Sequence, residues 1–304
     1  MRSNASHSPY FHASSIALLL VAAILACDEQ PSSELAPTGA SAEAVQPAVI
    51  LAAGDIAGCP EWYKDEVTAK MLADMPGTIL PLGDLVYQDA TRFQFRTCYD
   101  PSWGRLLSRS RPAPGNHEYR TDEAGPYYEY FGQRAGPAGK GYYTYTLGSW
   151  RIYSLNSERN IGAQATWLRK QLRDNPSKCV LAYWHKPLYT SGPVAPTPEV
   201  RPLFNELWKA RAEVVLNGHN HSYERFDPQD ADGNYRAQGV RQFVIGTGGA
   251  QLEPPTGPRA RNSKLLYVRG WGVLQMTLKT GEYSWKFVPI PGSPKADSGS
   301  VKCT

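Results

Sequence analysis

The sequence contains no apolar run long enough to cross a bilayer as a helix. Its most hydrophobic stretch, residues 16–26, has eleven apolar residues, whereas a membrane-spanning helix needs about 20. The excess of positive charge is also small, with a formal net charge of +4, and the lysines and arginines are scattered rather than clustered. We therefore expect the stretch not to span a membrane, and we expect no nucleic-acid partner.

Several motifs that carry chemistry are missing as well. No Cys-x-x-Cys spacing is present, no internal repeat is visible, and no Ser-His-Asp arrangement stands out. The glycine-rich segment from Gly246 to Gly249 lacks the Lys-Ser/Thr pair that a phosphate-binding loop requires, so we interpret it as a turn. These absences leave the carboxylate and histidine residues as the main candidates for a functional site.

The apolar run near the N-terminus is typical of a secretory signal. It follows Arg2 and ends at Ile24-Leu25-Ala26-Cys27, which resembles a bacterial lipoprotein box. We expect residues 1–27 to be a signal peptide and residues 28–46, rich in Pro, Ser, Ala and Glu, to be a flexible tether. The protein would then be exported, either as a periplasmic or cell-surface lipoprotein anchored to a membrane through Cys27, or as a secreted protein after ordinary cleavage nearby.

Four cysteines remain after the leader, at positions 59, 98, 179 and 303. An even number of cysteines in an exported protein favours disulfides, and four cysteines allow three pairings. We favour the pairs Cys59 with Cys98 and Cys179 with Cys303 over a thiolate metal site, which would need closely spaced cysteines.

Residues 47–304 have the patterning of one large α/β domain. Apolar runs at Ala48–Ala53 and Thr78–Leu82 predict buried strands, and the helical spacing from Glu61 to Asp74 makes them a β-α-β unit. Further predicted strands lie at 142–147, 151–155, 178–184, 213–216 and 242–245, and further predicted helices at 103–108, 163–173 and 199–211. The alternation at 265–278 and 283–288 predicts two antiparallel strands.

Polar groups suited to metals follow the predicted strands. They are Asp55, Asp84, Asn116, His185, His219 and His221. The chain has six histidines; two lie in the leader, and the other four, at 117, 185, 219 and 221, all follow predicted strands. Because parallel strands of one sheet end at the same edge, we expect these groups to converge on a two-metal centre.

In chain order, the blocks are Asp55, Gly83-Asp84, Gly115-Asn116-His117-Glu118, His185 and Gly218-His219-Asn220-His221. This set resembles the signature of the calcineurin-like metallophosphoesterase superfamily. The resemblance implies a four-layer α/β/β/α sandwich in which two mixed sheets are flanked by helices. Most of that superfamily has a histidine two residues after the first aspartate, where this chain has Ala57.

Tyr87 indicates a particular branch. In purple acid phosphatases a tyrosine three residues after the bridging aspartate replaces the missing histidine, and Tyr87 stands there. The segment from Gly218 to Arg225 also resembles that branch, here in a single-domain bacterial form. The resemblance assigns one metal to Asp55, Asp84, Tyr87 and His221, and the other to Asp84, Asn116, His185 and His219. Anionic oxygens suit Fe(III) at the first site, and imidazoles with an amide suit Zn, Mn or Fe(II) at the second.

The resemblance implies a metal-dependent phosphoric ester hydrolase, acid phosphatase-like, in which a metal-bound hydroxide cleaves small-molecule phosphate monoesters. His117 would bind the phosphate or protonate the leaving group, or else only orient Asn116. Asn116 and Tyr223 would also contact substrate, and Glu118 would support the site. Two alternatives stay open: a phosphodiesterase or nucleotide hydrolase on the same centre, and a non-catalytic lipoprotein that binds phosphate or metal.

Overall fold

The computed structural model describes residues 46–137, 139–294 and 297–304. The predicted signal peptide with Cys27, and all but the last residue of the predicted tether, lie outside these residues. Within the described ranges, no helix combines the length and the apolar character needed to cross a membrane.

Twelve strands in the described residues form two mixed sheets. They are β1 (Ala48–Ala53), β2 (Thr78–Pro81), β3 (Tyr143–Leu147), β4 (Trp150–Ser154), β5 (Cys179–Tyr183), β6 (Val214–Asn217), β7 (Tyr223–Phe226), β8 (Arg241–Ile245), β9 (Ser263–Tyr267), β10 (Gly272–Lys279), β11 (Glu282–Pro289) and β12 (Ser298–Lys302). The five-stranded sheet has the order β12-β11-β10-β1-β2, and the seven-stranded sheet has the order β3-β4-β5-β6-β8-β7-β9. Each sheet contains both parallel and antiparallel pairs, as the resemblance implied.

The helices alternate with the strands in the first two thirds of the chain. They are α1 (Asp65–Ala73), α2 (Arg92–Gln94), α3 (Gly125–Phe131), α4 (Ile161–Asp174) and α5 (Arg201–Lys209). A π-helical turn covers Phe95–Tyr99, and 3-10 turns cover Trp103–Arg109, Glu118–Arg120, Asp122–Ala124, Gly132–Ala135 and Pro198–Val200.

Side chains of the central strands alternate between two cores, as strand geometry dictates. On β5, Leu181 and Tyr183 belong to the core shared with the five-stranded sheet. Val180 and Ala182 belong to a second core that includes Leu168 of α4 and residues of α5. On the far side of the five-stranded sheet, α1 and the turn at Trp103–Arg109 complete the first core. The layers are therefore helix, sheet, sheet, helix, and the predicted four-layer sandwich is confirmed.

Two boundaries differ from the sequence prediction for physical reasons. The predicted strand 265–278 is two strands, because β9 pairs with β7 in one sheet and β10 pairs with β1 and β11 in the other. The helix predicted from Glu61 begins only at Asp65, since a turn from Pro60 to Tyr63 precedes it. The short elements β7, α3 and β12 were not predicted, because none has a sustained apolar period.

Both favoured disulfides are present, which confirms the predicted pairing. Cys59 and Cys98 join the loop after β1 to the π-helical turn, with Cα atoms 4.8 Å apart. Cys179 and Cys303 join the start of β5 to the residue after β12, with Cα atoms 5.7 Å apart. The second bond therefore connects the two sheets at the end where β5 begins.

Candidate metal centre

The predicted ligands lie where the carboxyl ends of strands from the two sheets meet. Asp55 and Asp84 follow β1 and β2 of the five-stranded sheet, and His185 and His219 follow β5 and β6 of the seven-stranded sheet. These four residues therefore converge at strand ends as expected, but two sheets rather than one deliver them. The sheets are joined here by a 2.8 Å hydrogen bond from the Gly54 N–H to the Ile245 carbonyl.

Asn116 is delivered differently from the prediction. It follows no regular strand; instead Ser110 and Ala113 form isolated parallel bridges with Ile79 and Leu82 beside β2. This extended segment adds an irregular edge to the five-stranded sheet. Its direction is that of β2, so Asn116 still reaches the same end of the sandwich.

Asp84 is almost fully buried, and its carboxylate contacts two histidines. Its Oδ2 atom is 3.1 Å from His185 Nε2 and 3.7 Å from His117 Nε2. Its Oδ1 atom accepts a 2.9 Å hydrogen bond from the His117 backbone N–H. Burial by itself would raise the pKa of Asp84, but the imidazoles of His185 and His117 lower that pKa below its ordinary value.

His185 and His219 form the first group with Asp84. The His185 Nδ1–H donates to the Leu82 carbonyl at 2.8 Å, so Nε2 faces Asp84 and lies 3.1 Å from His219 Nδ1. Burial opposes protonation, yet Asp84 raises the pKa of His185 to about 10, whereas burial and the neighbouring His185 lower the pKa of His219 to about 3. One ligand atom from each of the three residues lies within 4.8 Å of the others.

Asp55, Tyr87 and His221 form the second group. The Tyr87 hydroxyl donates to Asp55 Oδ1 at 3.0 Å and lies 3.1 Å from His221 Nε2. The His221 Nδ1–H donates to the Gln251 carbonyl at 2.8 Å, which directs Nε2 inward. Burial and then the charge of Asp55 raise the pKa of Tyr87 well above its ordinary value. Asp55 Oδ2 accepts a 2.8 Å bond from the His219 backbone N–H, so the two groups are connected.

The donor atoms fit transition-metal ions. The Asn116 side-chain oxygen is buried and makes no hydrogen bond with any described residue, which is costly unless something else binds it. His185 and His221 each use Nδ1 on a backbone carbonyl, which directs Nε2 towards the other candidate ligands. Carboxylate, phenolate, amide and imidazole donors around one point are the ligand types of iron, zinc and manganese centres.

The backbone around these groups is tightly fitted. A Cβ atom at Gly115 would lie 2.3 Å from Asp84 Oδ1, and one at Gly218 would lie 2.7 Å from Asp55 Oδ2. Asp55, Asp84 and His219 have positive φ angles of 59°, 49° and 74°. Positive φ angles are uncommon for residues other than glycine, and such backbone conformations cluster at functional sites. The glycines at positions 115 and 218 of the predicted motifs are therefore explained by the lack of space for a side chain.

His117 and Glu118 flank the ligands in different ways. The His117 Nδ1–H donates to the Gln88 carbonyl, and its ring lines the cleft described below. Glu118 is fully buried and accepts hydrogen bonds from the N–H groups of Asp84, Leu85 and Gly115 at 2.9, 2.8 and 2.7 Å. Burial and the charge of Asp84 raise the pKa of Glu118 to about 8. Glu118 thus ties together the loops that carry Asp84 and Asn116.

Tyr223 does not reach the cleft. Its ring is fully buried against Phe287, and its hydroxyl donates to Asp297 Oδ2 at 2.6 Å. The prediction that Tyr223 contacts substrate is wrong, because β7 directs this side chain into the core shared by the sheets. The segment Gly246–Gly249 follows β8 without regular structure and packs against Asp55, and no helix follows it among the next described residues.

A cleft of about 340 Å³ opens over the cluster. Its lining residues are Trp62, Tyr63, Asp84, Tyr87, Gln88, Asn116, His117, Arg120, Val194, His219, His221, Ala250, Gln251 and Glu253. Sequence reasoning missed Trp62 and Tyr63, which it placed on a helix, and also Val194, Gln251 and Glu253, for which the sequence offers no signal. His219 also lines a second cavity of about 530 Å³, together with residues that include Arg159 and Lys186.

Residues 40–223 match the family model of the calcineurin-like phosphoesterases. Because this match covers more than half of the chain, the chain belongs to that family. It is also similar to the "Probable purple acid phosphatase 20" of Arabidopsis thaliana, with 29% identity over 225 residues, 64% of this chain and 50% of that protein. The chain thus spans about half the length of this curated relative.

Solved structures share the fold. The purple acid phosphatase PPD1 from yellow lupin (Lupinus luteus) seeds aligns with a TM-score of 0.69 and 17% identity, over 84% of this chain and 54% of that chain. GAP50, described as the anchor in the inner membrane complex of Plasmodium, aligns with a TM-score of 0.64 and 13% identity, over 85% of this chain and 89% of that chain. At these identities the likeness shows the fold alone.

Proposed function

We propose that the chain hydrolyses phosphate monoesters at a dinuclear metal centre, as a purple acid phosphatase-like enzyme. The observation that carries the proposal is the convergence of two groups of candidate metal ligands, Asp84 with His185 and His219, and Asp55 with Tyr87 and His221, which the bond from the His219 N–H to Asp55 connects. A carboxylate has two oxygens, so one residue in this place can bind two cations. Membership of the calcineurin-like phosphoesterase family and the similarity to the Arabidopsis thaliana protein support the same reading.

The proposed ligand sets follow the two groups in the structure. Fe(III) would be held by Asp55, Asp84, Tyr87 and His221, and Zn, Mn or Fe(II) by Asp84, Asn116, His185 and His219. The Asn116 oxygen, which has no hydrogen-bond partner among the described residues, supports the second set. When bound, the two cations would supply the positive charge that holds a phosphate and lowers the pKa of water.

The chain's own residues would do the remaining work. His117 lines the cleft, and its Nδ1 is fixed on the Gln88 carbonyl while Nε2 lies 3.7 Å from Asp84 Oδ2, so the ring is oriented before substrate arrives. We assign His117 to hydrogen-bond the phosphate or to give a proton to the leaving oxygen. Asn116, adjacent in the chain and also lining the cleft, would contact the same phosphate.

We also infer from the leader sequence that the protein is exported, as a lipoprotein anchored through Cys27 or in secreted form. The two disulfides support an oxidising compartment. Mass spectrometry of the mature protein tests this: a diacylglyceryl-modified Cys27 at the N-terminus indicates the lipoprotein, whereas retention of the whole leader would contradict export.

The test of the function is hydrolysis of p-nitrophenyl phosphate by the wild type and by Asp84→Asn. We expect the variant to lose at least about a thousandfold in kcat/KM, because the loss of one anionic oxygen weakens both metal sites. The matched control is Asp232→Asn, since this aspartate is exposed and forms a surface ion pair with Arg201. Full activity in Asp84→Asn would overturn the proposal.

One observation favours a second candidate, a phosphodiesterase on the same centre. The second cavity, which shares His219 with the cleft, would give the second organic substituent of a diester its own space, whereas a monoester needs only one such space. Comparing bis(p-nitrophenyl) phosphate with the monoester decides between them. A higher kcat/KM for the diester would favour the second candidate.

A further inference from the structure

An exposed tryptophan stands at the mouth of the cleft. Trp62 keeps 51% of its surface exposed, and Val194, which lines the same cleft, keeps 37%. Removing large apolar side chains from water is favourable, and the flat face of a tryptophan is especially suited to stack on a flat ring. Their shared position over the proposed metal centre suggests that substrate covers them.

A line of rings connects Trp62 with the centre. The Trp62 and Tyr63 rings are stacked with centroids 4.1 Å apart. Tyr63 lies 5.8 Å from Tyr87, and Tyr87 lies 4.4 Å from His117. The wall of the cleft is therefore aromatic from its mouth down to a proposed metal ligand. A group attached to a phosphate at the centre would lie against this wall.

The loop that carries the wall is held in place before any ligand binds. Cys59 bonds to Cys98, and the Tyr63 N–H donates to the Pro60 carbonyl at 3.1 Å. The Tyr63 ring packs directly on Gly58, where a Cβ atom would lie 2.2 Å from the ring. A pre-formed surface pays little ordering entropy on binding, so it can contribute to affinity.

The charges in the cleft indicate what the wall would contact. Apart from Asp84 and the histidines, the charged side chains among the described lining residues are Arg120 and Glu253, which have opposite signs. Arg120 also lies 3.7 Å from the Asp89 carboxylate. The cleft outside the metal centre thus offers no net positive charge for additional phosphates or carboxylates, and it favours an uncharged leaving group.

We propose that Trp62 and Tyr63 form a subsite for the leaving group, which selects phosphate monoesters whose uncharged leaving group carries a flat aromatic ring. This inference rests on the proposed phosphomonoesterase activity. In the reaction, water bonds to phosphorus, the ester P–O bond breaks, and the leaving oxygen takes the electron pair and a proton. The subsite would hold the aromatic alcohol that results.

The test compares three substrates: phenyl phosphate, adenosine 5′-monophosphate and glycerol 2-phosphate. We expect Trp62→Ala to lower kcat/KM about tenfold for an aromatic ester, mainly through KM, because stacking of one ring contributes about that much. Glycerol 2-phosphate should be unaffected, and Trp62→Phe should keep most of the preference. The control is Phe93→Ala, since Phe93 is 69% exposed and does not line this cleft.

Comparing the two aromatic esters shows where the ring lies in the preferred substrate. A loss confined to phenyl phosphate would place the ring directly on the ester oxygen, and a loss confined to the nucleotide would place it one sugar away. Either result supports the subsite. Equal losses for all three substrates, or none for any, would overturn it.

A binding measurement keeps this inference separate from the proposed function. Adenosine, which has no phosphate, should quench the indole fluorescence of the wild type and should quench Trp62→Phe less. If the wild type hydrolyses no ester, the proposed function fails, and the quenching alone decides the subsite. Absence of quenching in the wild type together with an unchanged substrate preference in Trp62→Ala would overturn the inference.

Discussion

The Tyr87 hydroxyl donates a hydrogen bond to Asp55 Oδ1 across 3.0 Å, from a loop that belongs to the neighbouring strand. The two loops continue the parallel pairing of β1 with β2, because the Ala57 N–H donates to the Leu85 carbonyl and the Tyr87 N–H donates to the Ala57 carbonyl. Ala57 itself is fully buried. The phenol thus reaches the centre although position 57, a histidine in most of the superfamily, carries only a methyl group.

This relationship predicts the behaviour of Tyr87→Phe. Removing the hydroxyl should abolish any visible absorption band, because that colour would arise from a tyrosinate bound to Fe(III). The fold should persist, since the ring still packs on Tyr63 and His117. Visible and far-ultraviolet spectra of the variant check both points, with Tyr235→Phe, at an exposed position, as the control. A band that survives in Tyr87→Phe would exclude this residue as the source of the colour.

His117→Ala should lower kcat by a factor of about 10² to 10⁴, the usual contribution of a positioned acid. Metal content should stay unchanged, because no proposed ligand is removed. Steady-state kinetics and elemental analysis of the same preparation make the test. If turnover is unchanged, His117 only orients its neighbours and our role for it is wrong.

Glu118→Gln should weaken metal binding without unfolding the protein. The carboxylate accepts three backbone N–H groups, but a glutamine has one acceptor oxygen and an NH₂ group that cannot accept them. Loss of such a supporting contact typically costs 10- to 100-fold in metal affinity. Titration against a competing chelator measures this, and Glu129→Gln, on the surface, is the control. Equal affinities in the two variants would contradict the account.

The two disulfides should have separable effects. Cys179 lies at the start of β5 and His185 follows its end, so replacing Cys179 and Cys303 by alanine should lower the free energy of unfolding by about 2–5 kcal/mol and leave the turnover of folded enzyme unchanged. Replacing Cys59 and Cys98 should instead raise KM, because this bond holds the loop of Trp62. For both double variants, urea unfolding measures the free energy of unfolding, and steady-state kinetics measure KM and turnover. Identical outcomes for both double variants would contradict this division.

Much of the fold was accessible from the sequence because its buried strands are continuous apolar runs. Ala48–Ala53 matches β1, and the disulfide pairing is confirmed. The ordered motif blocks also identified the family. What the runs could not show is which sheet each strand joins, since the apolar pattern of β9 and β10 is the same whether the chain stays in one sheet or crosses to the other.

The residues of the candidate site could be predicted from the sequence, but the distances between them and the directions of their side chains could not. The structure brings Asp55, Asp84, Tyr87, Asn116 and three histidines together, while their role as ligands remains a prediction. The prediction for Tyr223 was wrong because its neighbours in the motif gave no information on the direction of its side chain. Trp62 was misplaced because helical spacing in the sequence does not reveal the turn at Pro60 and the bond from Cys59 that keep it off the helix.

The most direct test of the account is the metal content of the purified protein, measured by elemental analysis alongside its visible spectrum. We predict two metal ions per chain, one of them iron, with a broad visible band, and less bound metal in Asp84→Asn. A protein that binds no metal tightly, even after reconstitution with iron and zinc, would contradict the central claim.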